Sequence, residues 1–307
     1  MNATVNKSLL TTEYCLLIGH ILSMGFGLAG ILIVLPNPDF IASLPEVGKT
    51  AFAWSMVGGG VVYMILGIAT VSVYAYRTVG KWHWLSFMLP ALLISLGSEL
   101  LGTSTGFPFG HYRYLSGLGY KIAGLVPFTI PLSWFYLGFS AYLIAKLGLA
   151  NRSIPNWLKT SLAIALGSLL LTSWDFVLDP AMSQTKLPFW LWEQPGAFFG
   201  MPYQNFAGWF GTGALFMTVA ALLWKTKPLN INASLETPLI IYLSNFAFAM
   251  IMSIAEGIYT PVILGIILGV IPVIWLYKSA RENQVSQSLN YEILEEQGLE
   301  MPVVPIK

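Results

Sequence analysis

Charge, cysteine and histidine are all scarce in this chain. Only 9% of its 307 residues are Asp, Glu, Lys or Arg, against roughly 25% in an ordinary soluble domain. So few charges cannot clothe a water-facing surface, which excludes a soluble globular protein. The single cysteine, Cys15, excludes an intramolecular disulfide and any multi-cysteine iron or zinc site. His20, His83 and His111 are the whole imidazole supply, too few for the histidine clusters of membrane di-iron hydroxylases and desaturases. A net charge of +1 gives no basic excess for a nucleic-acid partner. No cleavable signal is evident, because the first apolar run follows a polar stretch carrying Lys7 and reads as a retained anchor.

What the chain has is apolar length. Hydrophobic residues make up 56% of it and the mean hydropathy is +0.69. Each membrane crossing needs about 20 apolar residues. The apolar runs predict helices over 14–35, 50–76, 84–102, 125–147, 158–178, 206–224, 237–256 and 260–277. The expected fold is therefore all-α, a polytopic integral membrane bundle of about eight transmembrane helices. Little more than Gly257 and Pro261 parts the last two runs, so seven spans is the fallback. Residues 1–280 form one transmembrane domain and 281–307 a polar tail, helical or without fixed structure. Eight crossings collect Lys7, Arg77, Lys81, Lys146, Arg152, Lys159, Lys225, Lys227, Lys278, Arg281 and Lys307 on one side, against Lys49, Arg113, Lys121 and Lys186 on the other. That bias predicts both termini in the cytoplasm.

Two loops, 103–124 and 179–205, fall on the poorly basic side and are rich in Gly, Pro and aromatics. Phe107, Phe109, Tyr112, Tyr114, Phe189, Trp190, Trp192, Phe198, Phe199 and Tyr203 read either as an interfacial belt or as a rigid cap over a lipophilic pocket.

Ionisable groups within a membrane are unfavourable by roughly 2.5–3.5 kcal/mol on insertion scales, and are functional candidates by default. Here they are Glu99 near the end of the third helix, Asp175 with Asp179 at the end of the fifth, and Glu256 at the end of the seventh. Gln204 and Asn205 open the sixth. All fall at one depth on the non-cytoplasmic side, and that convergence is the sequence's clearest site signal. Asp175 and Asp179 are four apart and share a helix face, with Pro180 stopping or turning the helix behind them. Two acids on one face in a dry setting suit proton donation. The blander alternatives are an interfacial Asp179 paired with Arg113 or Lys121, and a Glu99 paired with an arginine to hold two helices. His111 reads as a loop hydrogen-bonding residue and His20 as packing. Asn245 and Glu256 fall on similar faces of the seventh helix. Gly25, Gly27 and Gly58 to Gly60 read as close-packing positions. The sequons at Asn2, Asn6 and Asn232 are weak matches.

Three blocks together resemble a known family: ELLGTSTGFPFGHYRY at 99–114, WDFVLDPAM at 174–182 and GMPYQNFAGW at 200–209. They are similar to the membrane carotenoid-biosynthesis family, which includes CruF-type carotenoid 1′,2′-hydratases and the bisanhydrobacterioruberin hydratases. The resemblance runs from the first helix to the eighth. It implies addition of water across the terminal C1′=C2′ double bond of an acyclic ψ end group, such as that of γ-carotene or lycopene, in the plasma or thylakoid membrane of a bacterium and on the way to myxol glycosides. Partners implied are the carotenoid, membrane lipid and a downstream glycosyltransferase. The chemistry calls for no cofactor and no metal. Protonation of C2′ would leave a tertiary cation at C1′ for water to capture. Within that reaction Asp175 reads as the acid, Asp179 as its partner, and Glu99 as the group that positions or deprotonates water, through Tyr112 or Arg113. Trp174, Tyr203 and Trp209 offer π faces to the cation. His111, Gln204, Asn205 and Glu256 complete the expected substrate-binding set.

Two other classes compete. A UbiA-type prenyltransferase also uses acid clusters, but needs two Asp-rich motifs with basic residues for a magnesium diphosphate, and only one Asp-x-x-x-Asp pair is present. A proton-coupled transporter relays protons through intramembrane acids, yet this chain has no evident repeat and its acids gather at one end.

Overall fold

The computed structural model describes residues 3–185, 188–227, 229 and 234–282. Lys186, the sequon residues Asn2 and Asn232, and the tail from 283, Lys307 included, lie outside the described residues. Among the described residues the chain is a helical bundle: α1 (Ala3–Ala29, prolonged by a π turn over Gly30–Val34), α2 (Pro38–Ser43), α3 (Glu46–Thr78), α4 (Gly80–Thr105), α5 (Thr129–Gly148), α6 (Asn156–Gln184), α7 (Tyr203–Trp224), α8 (Glu236–Ala255) and α9 (Tyr259–Gly265, helical on to Glu282). Eight of these are long and apolar enough to cross a membrane, as the hydropathy runs predict. The doubtful last pair is two helices. Gly257 at φ +73° turns the chain between Ala255 and Tyr259, a conformation open to glycine.

Helix α5 is the axis, with 83% of its apolar stretch buried against 17% for α1. Its sequence supplies the reason, since Trp134, Phe135, Tyr136, Phe139 and Tyr142 are all wholly buried. Helices α3, α4, α6 and α8 pack around it, α7 closes against α4 and α6, and α1 lies mainly on α3.

Polar ties fix the outer helices. Glu13 of α1 is buried and meets Arg77 of α3 at 2.7 Å, while Thr237 of α8 donates to the same carboxylate at 2.6 Å. Residues before 14, expected outside the first span, are thus helical because they carry this pair. His20 is packing, as expected: Nε2 accepts from Asn245 of α8 at 2.9 Å and Nδ1 donates to the Tyr63 carbonyl at 2.7 Å.

Pro180 does not stop α6, which runs on to Gln184. Ser253 of α8 donates to the Val177 carbonyl at 2.7 Å and Ser183 to the Asp179 carbonyl at 2.7 Å.

The two aromatic loops join. Tyr112–Tyr114 (β1) pairs antiparallel with Trp190–Trp192 (β4), Tyr112 opposite Trp192 and Tyr114 opposite Trp190. A smaller ribbon pairs Lys121–Ile122 (β2) with Val126–Pro127 (β3).

Candidate active site

Where the β1–β4 ribbon caps the bundle it encloses a cavity of about 40 Å³, larger than the roughly 10–15 Å³ that one water requires. Glu99, Asp175, Asp179 and Asn205 all line it. Two helices therefore deliver three carboxylates to one small space: α4 gives Glu99, and successive turns of α6 give Asp175 and Asp179.

Each acid is held differently. Glu99 accepts three hydrogen bonds, from the Tyr112 hydroxyl at very short range, the Tyr114 hydroxyl at 2.9 Å and the Trp134 indole at 3.0 Å. Asp179 is gripped at both oxygens by indoles, Trp190 at 2.5 Å and Trp192 at 2.8 Å. Among the described residues one side-chain donor reaches Asp175, the Asn205 amide at 2.7 Å on Oδ2. All three carboxyl groups are nearly closed to solvent, and no lysine or arginine lines the cavity.

The ribbon explains the donors. In a strand, alternate residues face one side. Tyr112 and Tyr114 thus point inward with Trp190 and Trp192, while Arg113 points out to meet Glu193 at 3.1 Å. Burial, and next to it the Glu99 charge, hold the Tyr112 and Tyr114 hydroxyls well above the usual phenol range. They remain donors.

The walls are aromatic. Trp134 of α5 and Trp209 of α7 stack at 3.9 Å between ring centres, and Trp174 meets Trp209 edge-on at 5.9 Å. Trp174 is anchored by donating to the Asn245 carbonyl at 3.1 Å. The lining also includes Tyr63, Met64, Ile130, Leu178 and Met182.

Several expected residues stand elsewhere. Arg113 and Lys121 pair with neither Glu99 nor Asp179, since Lys121 donates to the Tyr114 carbonyl at 2.5 Å. His111 is exposed, its ring against Gly106 and its carbonyl accepting from Glu193 and Gln194. Tyr203 is exposed on the first turn of α7, facing Phe206, and Gln204 donates to the Gly106 carbonyl at 3.1 Å. Glu256 lies exposed just past the end of α8, away from the buried Asn245. None of these five lines the cavity: His111, Arg113, Tyr203, Gln204 and Glu256. Sequence reasoning in turn passed over Trp134, and took Trp190 and Trp192 as cap residues without seeing them as donors. The alternation in Tyr-Arg-Tyr and Trp-Leu-Trp was the available signal.

The family described as "Carotenoid biosynthesis protein" has a sequence model that matches residues 59–272. Among curated proteins, the bisanhydrobacterioruberin hydratase of Haloarcula japonica is 39% identical over 132 residues, which is 43% of this chain and 41% of the relative. The chain thus aligns with less than half of that relative's length. No solved structure matches.

Proposed function

The chain belongs to the carotenoid biosynthesis protein family, and from that premise we propose that it is a hydratase adding water to the terminal double bond of an acyclic carotenoid end group. The observation that carries the proposal is a small cavity lined by three carboxyl groups and by tryptophan faces, with no basic side chain in the lining. A curated relative named as a hydratase supports the reaction class. A prenyl diphosphate calls for cations at the site, and this lining has none.

Asp175 is the proton donor in this reading. Glu99 and Asp179 accept three and two hydrogen bonds respectively, each of which favours the ionised carboxylate. Asp175 accepts on Oδ2 from Asn205 and offers Oδ1 for the proton. Transfer from Oδ1 to C2′ uses the alkene's electron pair to form the new C–H bond and leaves a tertiary cation at C1′. Trp174 and Trp209 present π faces to that cation. Water then forms the C–O bond, and Glu99 orients it and takes up its released proton, which returns to Asp175 to close the cycle. Asp179 is fixed by its two indoles as the partner charge. The reaction calls for no metal and no redox cofactor.

The substrate end is the ψ end of γ-carotene or lycopene, and the product alcohol suits a downstream glycosyltransferase. In a bacterial plasma or thylakoid membrane, the basic-residue bias puts both termini in the cytoplasm and the cavity toward the opposite face. The test is expression in a bacterium that accumulates lycopene or γ-carotene. A more polar pigment heavier by one water is expected, and its loss with Asp175→Asn. Unchanged pigments from well-inserted protein, with both substrates, would remove the proposal.

A further inference from the structure

Two glycines in the family-like blocks have no part in the chemistry above. Gly102 lies one turn beyond Glu99 on α4, and Gly208 sits beside Trp209 on α7. A Cβ on Gly102 would come within 2.7 Å of the Phe109 ring, and one on Gly208 within 2.5 Å of it and 2.9 Å of the Pro108 carbonyl. Real Cβ atoms do not approach so closely. The two helices therefore form a seat for one benzyl side chain.

Phe109 fills that seat and lines the cavity. At 1% exposure it is the least exposed residue of the lining, whereas Tyr114 and Trp190 are each 8% exposed and Trp192 and Trp209 are part-exposed. Its ring lies 6.2 Å from that of Tyr112 and 6.2 Å from that of Trp134, two of the Glu99 donors. Through Gly208 it also backs the turn of α7 that carries Asn205 and Trp209. The ring thus bounds the cavity between the holders of Glu99 and of Asp175.

Resting on the hydratase reading, we propose that Phe109 is a specificity-determining residue that sets how deep an isoprenoid chain enters, and so which double bond meets Asp175. A cavity this small admits only the chain's tip. A floor at Phe109 stops the terminal methyls and leaves the first trisubstituted double bond beside the acid. The benzyl side chain and the backbone of one isoprene unit are of similar length. Removing the ring lets the chain advance by one unit and brings the C5=C6 bond to the same proton. Protonation of that bond at C5 forms the new C–H bond there and leaves a cation at C6 that the polyene delocalises, so water places the hydroxyl away from C1. Gly208→Ala acts in the opposite direction, pushing the ring into the cavity.

The experiment uses the full chain in a lycopene-accumulating bacterium, with hydroxyl position read by tandem mass spectrometry and folding by thermal unfolding of the purified protein. Wild type is expected to give the C1 alcohol alone. Phe109→Ala is expected to add a second monohydrated isomer whose hydroxyl is not at C1. Gly208→Ala is expected to lower hydration at least tenfold, and Gly208→Ala with Phe109→Leu to recover it. A folded Phe109→Ala protein that makes only the C1 alcohol, or no alcohol, overturns the role of Phe109 while wild-type activity leaves the hydratase reading standing. Should Phe109→Ala fail to fold, a Gly208→Ala protein of undiminished activity overturns it instead. A wild type that leaves lycopene unhydrated removes the hydratase reading and this inference with it.

Discussion

At the scale of the residue, what separates the three acids is the number of donors each has been given. Glu99 and Asp179 are surrounded by hydroxyl and indole N–H groups, and Asp175 receives one amide. Asparagine at 175 keeps the shape and removes the proton. A general acid contributes on the order of 10²–10⁴-fold, so Asp175→Asn is expected to lower hydration by at least about 100-fold while the protein's thermal unfolding stays close to wild type. The phenols make a pH prediction. Tyr112 and Tyr114 hold their protons well above the usual range in the fold, whereas in the unfolded chain tyrosine titrates near 10. The unfolded state therefore sheds protons that the folded state keeps, and their contribution, complete below about pH 10, drains away as pH rises above it. Thermal midpoints should be level from neutral pH to about 9 and fall beyond about 10. Tyr112→Phe with Tyr114→Phe should flatten that fall. Equal alkaline slopes for the two proteins would contradict the assignment.

At the scale of the element, helices were legible and their directions were not. Runs of apolar residues locate the spans because lipid demands length and composition alone. Depth was legible too, since Glu99, Asp175, Asp179 and Asn205 do share one level and one cavity. Angle around the helix was not. Tyr203 and Gln204 share Asn205's level, yet they face outward and only Asn205 turns to Asp175. Glu256 sits exposed, just beyond its helix end. The β1–β4 ribbon escaped notice because three-residue strands carry too short a pattern to stand out from a Gly- and Pro-rich loop. Trp134 escaped because an aromatic in an apolar helix reads as core until a carboxylate is found beside it. The α1–α3 joint tests the packing. Arg77→Met leaves Glu13 charged and closed off from water, and breaking a buried pair in this way is unfavourable by about 3–5 kcal/mol. The double change with Glu13→Gln should recover most of that loss in detergent-purified protein. A single variant as stable as wild type would mean that the pair contributes nothing.

At the scale of the whole molecule, charge is distributed so that one end of the bundle is basic and the other carries the cavity, its aromatic cap and the acids. With eight crossings the two ends of the described chain share a face, and the lysine and arginine bias supports the proposal that this face is cytoplasmic. In a Cys15→Ser background, Glu193→Cys on the capping loop is expected to react with a membrane-impermeant maleimide in intact cells. Labelling only after lysis would invert the topology, and would move the product alcohol to the face where nucleotide sugars are made. The tight cavity that holds the acids is ringed by tryptophan and carboxyl groups. Hydration and oxidation both yield a hydroxylated pigment, and only the source of the oxygen and hydrogen tells them apart. The most direct test is therefore purified protein in lipid nanodiscs with lycopene, in deuterated water enriched in heavy oxygen. The account predicts an alcohol whose oxygen comes from water, with one deuterium on the adjacent carbon, and none from Asp175→Asn. A hydroxyl oxygen drawn from dissolved dioxygen, or an alcohol lacking carbon-bound deuterium, would contradict it.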